Sequence, residues 1–276
     1  ERRILKDPSK GTSFMAINAA KDLLRKKKIS PKKIEVVIVA TITPDMHVAA
    51  TAAQVASEIG AENAFAYDLQ AACSGFLYAL KMASSLIQSK DVKSGLIICA
   101  DTYTKFISKN NTACRPIFSD AAAAVLVEKS PKNKIGPFVL GSDGSGSDAL
   151  ELPINTNEII MNGAKVLTFA MDVVPQNVTE LLKKIKIKKE KINKFVFHQA
   201  SKYILDNINR RLKITKNQTY ENYGRVGNTI SASIPIALKD GFSSKRIKKN
   251  NSVIIAGYGV GLSWGSALIK FDKILW

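Results

Sequence analysis

A thiol, an imidazole and a carboxamide, at Cys73, His198 and Asn228, stand in this sequence where patterned runs give way to turns. Together such groups can carry an acyl chain as a thioester: a thiolate attacks a carbonyl, and N–H donors hold the oxygen on which charge develops. Cys73 lies in YDLQAACSGFLYA, residues 67–79, where small residues lead into a helical pattern. A helix N-terminus presents free N–H groups and a partial positive charge, so this position is expected to favour a thiolate and lower the thiol pKa. Ser74 and Gly75 keep the turn narrow enough for an extended substrate to approach. The alternative is a buried structural cysteine, which is the reading that fits Cys99 in the middle of IICAD.

His198 ends the strand pattern 195–197 and is one of two histidines. The other, His47, follows a Pro-Asp turn and reads as a surface or entrance residue. An imidazole after a strand is more often structural, and it gains a catalytic reading only when a nucleophile can be paired with it. Asn228, in GRVGNTISAS, precedes a helical pattern and is fully explained as an N-cap. In the functional reading, its amide N–H holds a thioester oxygen.

The glycine-rich run GYGVG, residues 257–261, can turn backbone N–H groups towards a developing oxyanion. It is not a dinucleotide fingerprint, because the G-x-G-x-x-G spacing is incomplete and a strand containing Trp264 follows instead of a helix. A P-loop is absent, and DGSGS, residues 143–147, reads as a flexible turn between two halves.

Placing these groups requires a scaffold, and its pattern is legible. Apolar runs of four to six residues alternate with longer stretches of helical spacing, the pattern of a parallel sheet covered by helices, which makes the fold class α/β. The clearest strands are 36–41 (VVIVAT), 95–100 (GLIICA) and 122–128, answered by 195–197, 253–256 and 267–271. Helices are predicted over 14–27, 49–59, 74–87, 173–185, 201–212 and 230–238. The same order of parts occurs twice: KKIEVVIVAT matches KINKFVFHQA, the helix opening at Cys73 matches the one opening at Asn228, and SGLIICAD matches NSVIIAGYG. An internal duplication therefore divides the chain into residues 1–140, carrying the nucleophile, and residues 141–276, carrying His198 and Asn228. The strand-to-helix junctions of both halves would then meet at one crevice, where α/β sheets bind ligands.

Composition narrows the function. The 276 residues are 46% apolar and 23% charged, ordinary for a globular protein, and contain no apolar run of the roughly 20 residues that a membrane span needs. Nothing at Glu1 reads as a targeting leader. Three scattered cysteines lack metal spacing and make an odd number for disulfides, so reduced thiols in a cytoplasmic compartment are expected. The formal charge of +18 comes largely from lysine-rich stretches at 25–28, 32–33, 183–194 and 245–249. Such a surface attracts anions; lysines simply replacing Arg and Gln on solvated faces is the plain reading, and next to it an acidic carrier protein or phosphate-bearing cofactor fits better than nucleic acid, for which no recognised motif is present.

Taken together, DLQAACSGFLYAL around Cys73, HQAS at His198, GNTISASIP at Asn228 and the ending YGVGLSWGSALIKF resemble the β-ketoacyl-acyl carrier protein synthase III family of the thiolase superfamily. The resemblance implies a thiolase-like fold of duplicated α-β-α layers, a first strand ahead of Glu1, and a homodimer. It implies that Cys73 takes an acyl group from a thioester, with the oxyanion held by the backbone N–H groups of Cys73 and Val260. His198 and Asn228 would then bind the carbonyl of a malonyl donor during decarboxylative condensation. No bound cofactor is implied; the substrates would be thioesters of coenzyme A or of acyl carrier protein phosphopantetheine. An acyltransferase of the same fold, moving the Cys73 acyl group to an amine or alcohol, is the alternative.

Where the family usually has a cofactor-contacting arginine, this chain has Thr112, with Arg115 displaced along the sequence; Val260 stands where glycine is common. Val48 takes the place of a large aromatic that closes the acyl pocket across the dimer, which implies an acyl group larger than acetyl. Lys202, Arg210 and Arg211, on the helix after His198, form the expected face for an acidic carrier protein.

Overall fold

The structure, a computed structural model, describes residues 1–130, 134–153 and 155–270. In chain order, the first half contains α1 (Thr12–Lys27), β1 (Val36–Ala40), α2 (Thr51–Ile59), β2 (Phe65–Leu69), α3 (Gly75–Ser89), β3 (Ser94–Asp101) and β4 (Ala121–Glu128). The second contains β5 (Lys134–Ser142), β6 (Leu150–Glu151), β7 (Ile160–Met161), α4 (Gly163–Ile185), β8 (Lys194–Phe197), α5 (Lys202–Leu212), α6 (Tyr223–Val226), α7 (Ser233–Ser243), β9 (Ser252–Gly259) and β10 (Ser263–Lys270). Phe271, assigned to the last strand by its pattern, lies outside the described residues.

Two four-stranded sheets result, ordered β2-β1-β3-β4 and β5-β10-β9-β8. Both are mixed, where the alternation of strands and helices had implied parallel pairing throughout. β1 pairs in parallel with β2 and β3, and β8 with β9, but β4 runs antiparallel to β3, and β10 antiparallel to β9 and β5. The tight link between β9 and β10 leaves room only for a hairpin, whereas a parallel return needs a long crossover. The boundary expected at 140/141 falls inside β5, so the second sheet begins at residue 134.

The strand sequences are continuously apolar because helices cover both faces of each sheet. Val36, Ile38 and Ala40 of β1 face a central core with Phe76, Leu77 and Leu80 of α3, Ile234 and Leu238 of α7, and Val253 and Ile255 of β9. The intervening Val37 and Val39 face the other way, onto Ala16 and Ala20 of α1 and Val55 of α2. Phe195 and Phe197 of β8 likewise turn outwards onto Val174 and Val178 of α4 and Leu205 and Ile208 of α5. The layers are thus helices, sheet, helices, sheet, helices, with α3 and α7 in the middle.

The duplication is visible in register. Val36 pairs with Gly95 and Lys194 with Val253, so each half joins residues 59 apart. Thr219 makes an isolated parallel bridge to Phe195, the second half's trace of β2.

The candidate active site

α3 and α7 each begin with a three-residue 3-10 turn, Ala72–Ser74 and Ile230–Ala232, and the first residue of each turn has positive φ, 43° at Ala72 and 50° at Ile230. This registers Cys73 with Ser231, and not with Asn228 as the sequence comparison had it; Asn228 stands three residues earlier. The turns abut: a Cβ on Gly75 would lie 3.6 Å from Ser231 Cβ and 3.2 Å from Ala40 Cβ, so glycine there lets the two helix starts approach.

Cys73, His198 and Asn228 nevertheless line one chamber of about 80 Å³, with Phe118, Ile204, Gly259 and Val260 among its walls. Each arrives on a different element. Cys73 rides the turn into α3, and Gly259 presses against it: a Cβ at Gly259 would stand 2.9 Å from both Cys73 Cβ and its backbone N. Ser74 Oγ lies 2.6 Å from Ser263 Oγ, and Ser263 Oγ donates to Val260 O at 3.2 Å, which ties the Cys73 turn to the loop carrying Val260. DGSGS, expected as a flexible link between halves, belongs to the second half: Asp143 and Leu262 exchange backbone hydrogen bonds, and Asp143 caps the 3-10 stretch Gly144–Ala149.

His198 extends β8 by donating its backbone N–H to Ala256 O at 2.8 Å. Its ring stands edge-on to Tyr258, centroids 5.3 Å apart, and its Nδ1 is buried without a partner among the described residues. Burial lowers its pKa to about 3, so the imidazole is neutral at physiological pH. Gln199 anchors the same stretch, donating its backbone N–H to Ser233 Oγ at 2.7 Å and accepting from Asn222 N at 2.7 Å.

Asn228 is held as a bridge partner of Phe118, donating its N–H to Ile117 O and accepting from Ser119 N. Its Oδ1 accepts from Ile230 N at 3.0 Å, which leaves the Nδ2 hydrogens for a ligand. Asn228 is thus not the helix cap expected from the sequence, since Thr229 holds the N-cap position of the turn; the bond from Ile230 N is a local one that orients the amide.

The thiol differs from expectation. Burial, followed by the charge of Asp101, pushes the Cys73 pKa well above the ordinary thiol value, and outweighs the start of α3. A short 3-10 turn buried between two sheets contributes little dipole to set against that burial. Cys73, Cys99 and Cys114 are all free and buried, and among the described residues no cluster of His, Cys, Asp or Glu could hold a metal.

Other expected site residues lie elsewhere. Val48 is 85% exposed in the loop before α2 and is not in the chamber wall. Lys202 pairs with Asp206, Arg211 with Asp172 at 2.9 Å, and Arg210 donates to Asn207 Oδ1. Lys202 stands beside the chamber, whose wall includes Ala200, Ser201 and Ile204, whereas Arg210 and Arg211 sit at the far end of α5, about 12 Å away by helical rise. Thr112 is exposed and Arg115 half-buried. Sequence reasoning missed Asp101, Phe118 and Gln199. Asp101 carried a signal, a lone carboxylate ending an otherwise apolar strand.

Two layered halves meeting at a buried cysteine form the thiolase-like architecture of acyl-transferring enzymes. A solved 3-oxoacyl-[acyl-carrier-protein] synthase III from Aquifex aeolicus VF5 superposes with a TM-score of 0.93 at 32% identity, over 98% of this chain and 87% of that one. The 3-oxoacyl-[acyl-carrier-protein] synthase III family model matches residues 67–144, and the model of that enzyme's C-terminal part matches residues 182–271. β-Ketoacyl-[acyl-carrier-protein] synthase III from Clostridium perfringens (strain SM101 / Type A) is 38% identical over 98% of this chain and 87% of its own length. The Natranaerobius thermophilus protein of that name is 39% identical over 98% and 88%. The chain belongs to the 3-oxoacyl-[acyl-carrier-protein] synthase III family and is a condensing acyltransferase of fatty acid biosynthesis.

Proposed function

We propose that Cys73 carries the acyl group and that His198 and Asn228 activate the second substrate, a malonyl thioester of acyl carrier protein. The observation that carries this reading is the shared chamber of the three side chains, with a neutral imidazole and a carboxamide whose N–H groups are free to donate. The resting pair is thiol and neutral imidazole, since the thiol is pushed up and the imidazole down. Sulfur attacks the acyl thioester as its proton leaves. The backbone N–H groups of Cys73 and Val260 hold the oxyanion, which collapses to acyl-Cys73 as the departing thiol takes up the proton.

In the second step, the malonyl C–CO₂⁻ bond breaks and its electron pair enters the thioester as an enolate, whose oxygen accepts hydrogen bonds from His198 and Asn228. The enolate carbon attacks acyl-Cys73, and the second oxyanion expels the Cys73 thiolate, which regains a proton. Coenzyme A or carrier-protein phosphopantetheine delivers the first acyl group. Lys202 is the carrier-facing cation nearest the chamber, with Arg210 and Arg211 further out; their exposed pairings cost little to exchange for a partner's carboxylates.

A homodimer is part of the proposal. β2 is an edge strand, Phe65 on it is exposed, and Tyr67 keeps its hydroxyl buried without a partner among the described residues. A partner pairing at that edge would cover Met46 and Val48, also exposed, and bring Val48 to a neighbouring acyl pocket.

Intact-mass measurement with a series of acyl thioesters tests this reading. Wild type is expected to gain one acyl group, including chains longer than acetyl, and Cys73→Ala none. Carbon dioxide is expected from a malonyl thioester in both, lost on Asn228→Ala. An adduct on Cys73→Ala would remove the assignment of the nucleophile, and acetyl as the sole adduct would remove the role of Val48.

A further inference from the structure

Asp101 is a fully buried carboxylate at the end of β3, and no part of the reaction above uses it. Every contact it makes is with a donor. Oδ1 accepts from Ile42 N at 2.9 Å, Thr41 Oγ1 at 3.2 Å and Thr43 Oγ1 at 3.4 Å. Oδ2 accepts from Ser231 Oγ at 2.5 Å and Ser231 N at 3.3 Å, and Ser231 Oγ also reaches Ala40 O at 3.1 Å. A carboxylate in the first half thus grips the residue that follows Ile230, the strained member of the second half's turn. Ile230 N in turn donates to Asn228 Oδ1, the bond that sets the amide's orientation.

We propose that Asp101 is a positioning residue for the condensation step: through Ser231 it holds the Ile230 turn, and thereby aims the Asn228 amide into the chamber. This rests on the role given above to Asn228. A buried charge is costly to keep, and a neutral residue would serve packing alone. Keeping it makes sense where a fixed, charge-assisted anchor is needed to hold a β-branched residue at φ 50°, in the strained left-handed region.

The same charge has a second effect of opposite sign. It raises the pKa of Cys73 and so works against acylation. Removing it is therefore expected to leave acylation unchanged or faster while condensation slows, a split that simple unfolding or loosening would not give. Burial lifts the Asp101 pKa to about 6, against the donors that lower it. The groups that face it are Cys73, Cys99 and Tyr103, all pushed up by burial and neutral near that pH. His198 stays neutral down to about 3. An acid limb near pH 6 in condensation belongs to Asp101: below it the carboxyl is protonated and its hold on Ser231 weakens.

The test compares wild type, Asp101→Asn, Ser231→Ala and Asn228→Ala in two assays, the mass of the acyl-Cys73 adduct after brief exposure to an acyl thioester and carbon dioxide release from a malonyl thioester. Asp101→Asn and Ser231→Ala are expected to acylate at least as fast as wild type and to release carbon dioxide about 10- to 100-fold more slowly. Asp101→Asn is also expected to lose the limb near pH 6. Ser231→Ala keeps the charge and removes only one hydroxyl, so its split decides the matter even if Asp101→Asn does not fold. Equal loss in both assays, or loss in neither, overturns the proposal. If Asn228→Ala is impaired while Asp101→Asn and Ser231→Ala are not, this proposal alone falls. If Asn228→Ala releases carbon dioxide at the wild-type rate, the role of Asn228 falls and the proposal with it.

Discussion

The turns that open α3 and α7 are built alike and used differently. Each follows a residue of irregular backbone, Ala71 or Thr229, begins with a non-glycine residue in the left-handed region, and passes into its helix through residue Gly75 or Ser233 in right-handed geometry. The second residue of each turn carries sulfur in one copy, Cys73, and a hydroxyl in the other, Ser231. Cys73 lines the chamber, whereas Ser231 is bound to Asp101 and Ala40 O and lines no part of it. The two junctions match in backbone, while one side chain opens onto the chamber and the other is hydrogen-bonded away from it. The second half contributes to the chamber through residues just outside its turn, Asn228 before it and His198 on the neighbouring strand.

The sharpest way to break this comparison is to exchange the two side chains. Cys73→Ser replaces a polarisable thiol with a far weaker nucleophile at a buried site, and turnover is expected to fall by about 10³-fold or more. Adding Ser231→Cys is expected to restore nothing, since its sulfur would face Asp101 and Ala40 O instead of the chamber. Mass spectrometry after exposure to an acyl thioester reads both outcomes. An adduct on the sulfur introduced by Ser231→Cys in the double variant would show that the junctions are interchangeable.

Much of this was legible in the sequence, and the misses share a cause. Apolar runs and helical spacing located β1, β3, β4, α1 and α3 within a residue or two, because burial on both faces leaves no other composition. β5 was not found: KIGPFVLGS carries a proline and two glycines that hide its pattern. α4 begins ten residues before its expected start, in a stretch whose first turns are partly exposed and so lack a strict apolar stripe. Cys73 and His198 could be named because cysteine and histidine are scarce and stand at strand or helix junctions, and Asn228 because of the motif GNTISASIP around it. Their pKa shifts could not, because desolvation depends on what the fold stacks above a residue.

Those shifts give a smaller and opposed pair of effects. The pKa of His198 falls from 6.5 to about 3 on folding, so the unfolded chain binds a proton first as pH drops through 6.5, and stability is lost down to about 3. Asp101 rises from 3.8 to about 6, so its contribution is fully present below 3.8 and is lost as pH climbs through about 6. The two slopes oppose each other in wild type between about pH 6 and pH 3.8, and the His198 effect is the larger over the whole range. His198→Gln cannot titrate, and between pH 7 and pH 5 it is expected to gain about 2 kcal/mol relative to wild type in denaturant titrations. A constant difference between the two proteins across that range would mean that the native imidazole titrates as it does in the unfolded chain.

The smallest effect separates the strained residues themselves. Ile230 is buried against Phe118, Tyr103 and Cys73, so its side chain offsets its backbone conformation with packing. Ala72 has only a methyl group with which to do so. Glycine at 72 relieves the positive φ, loses about 0.8 kcal/mol of methyl burial and adds freedom to the unfolded chain, and these effects largely cancel. Ala72→Gly is expected to change stability by less than about 1 kcal/mol, whereas Ile230→Gly costs about 3–5 kcal/mol through the cavity it leaves. Thermal unfolding of the two variants measures the contrast. A loss at Ala72→Gly as large as at Ile230→Gly would mean that the first turn, like the second, is held by side-chain packing, and that the two copies differ less than their reactive residues indicate.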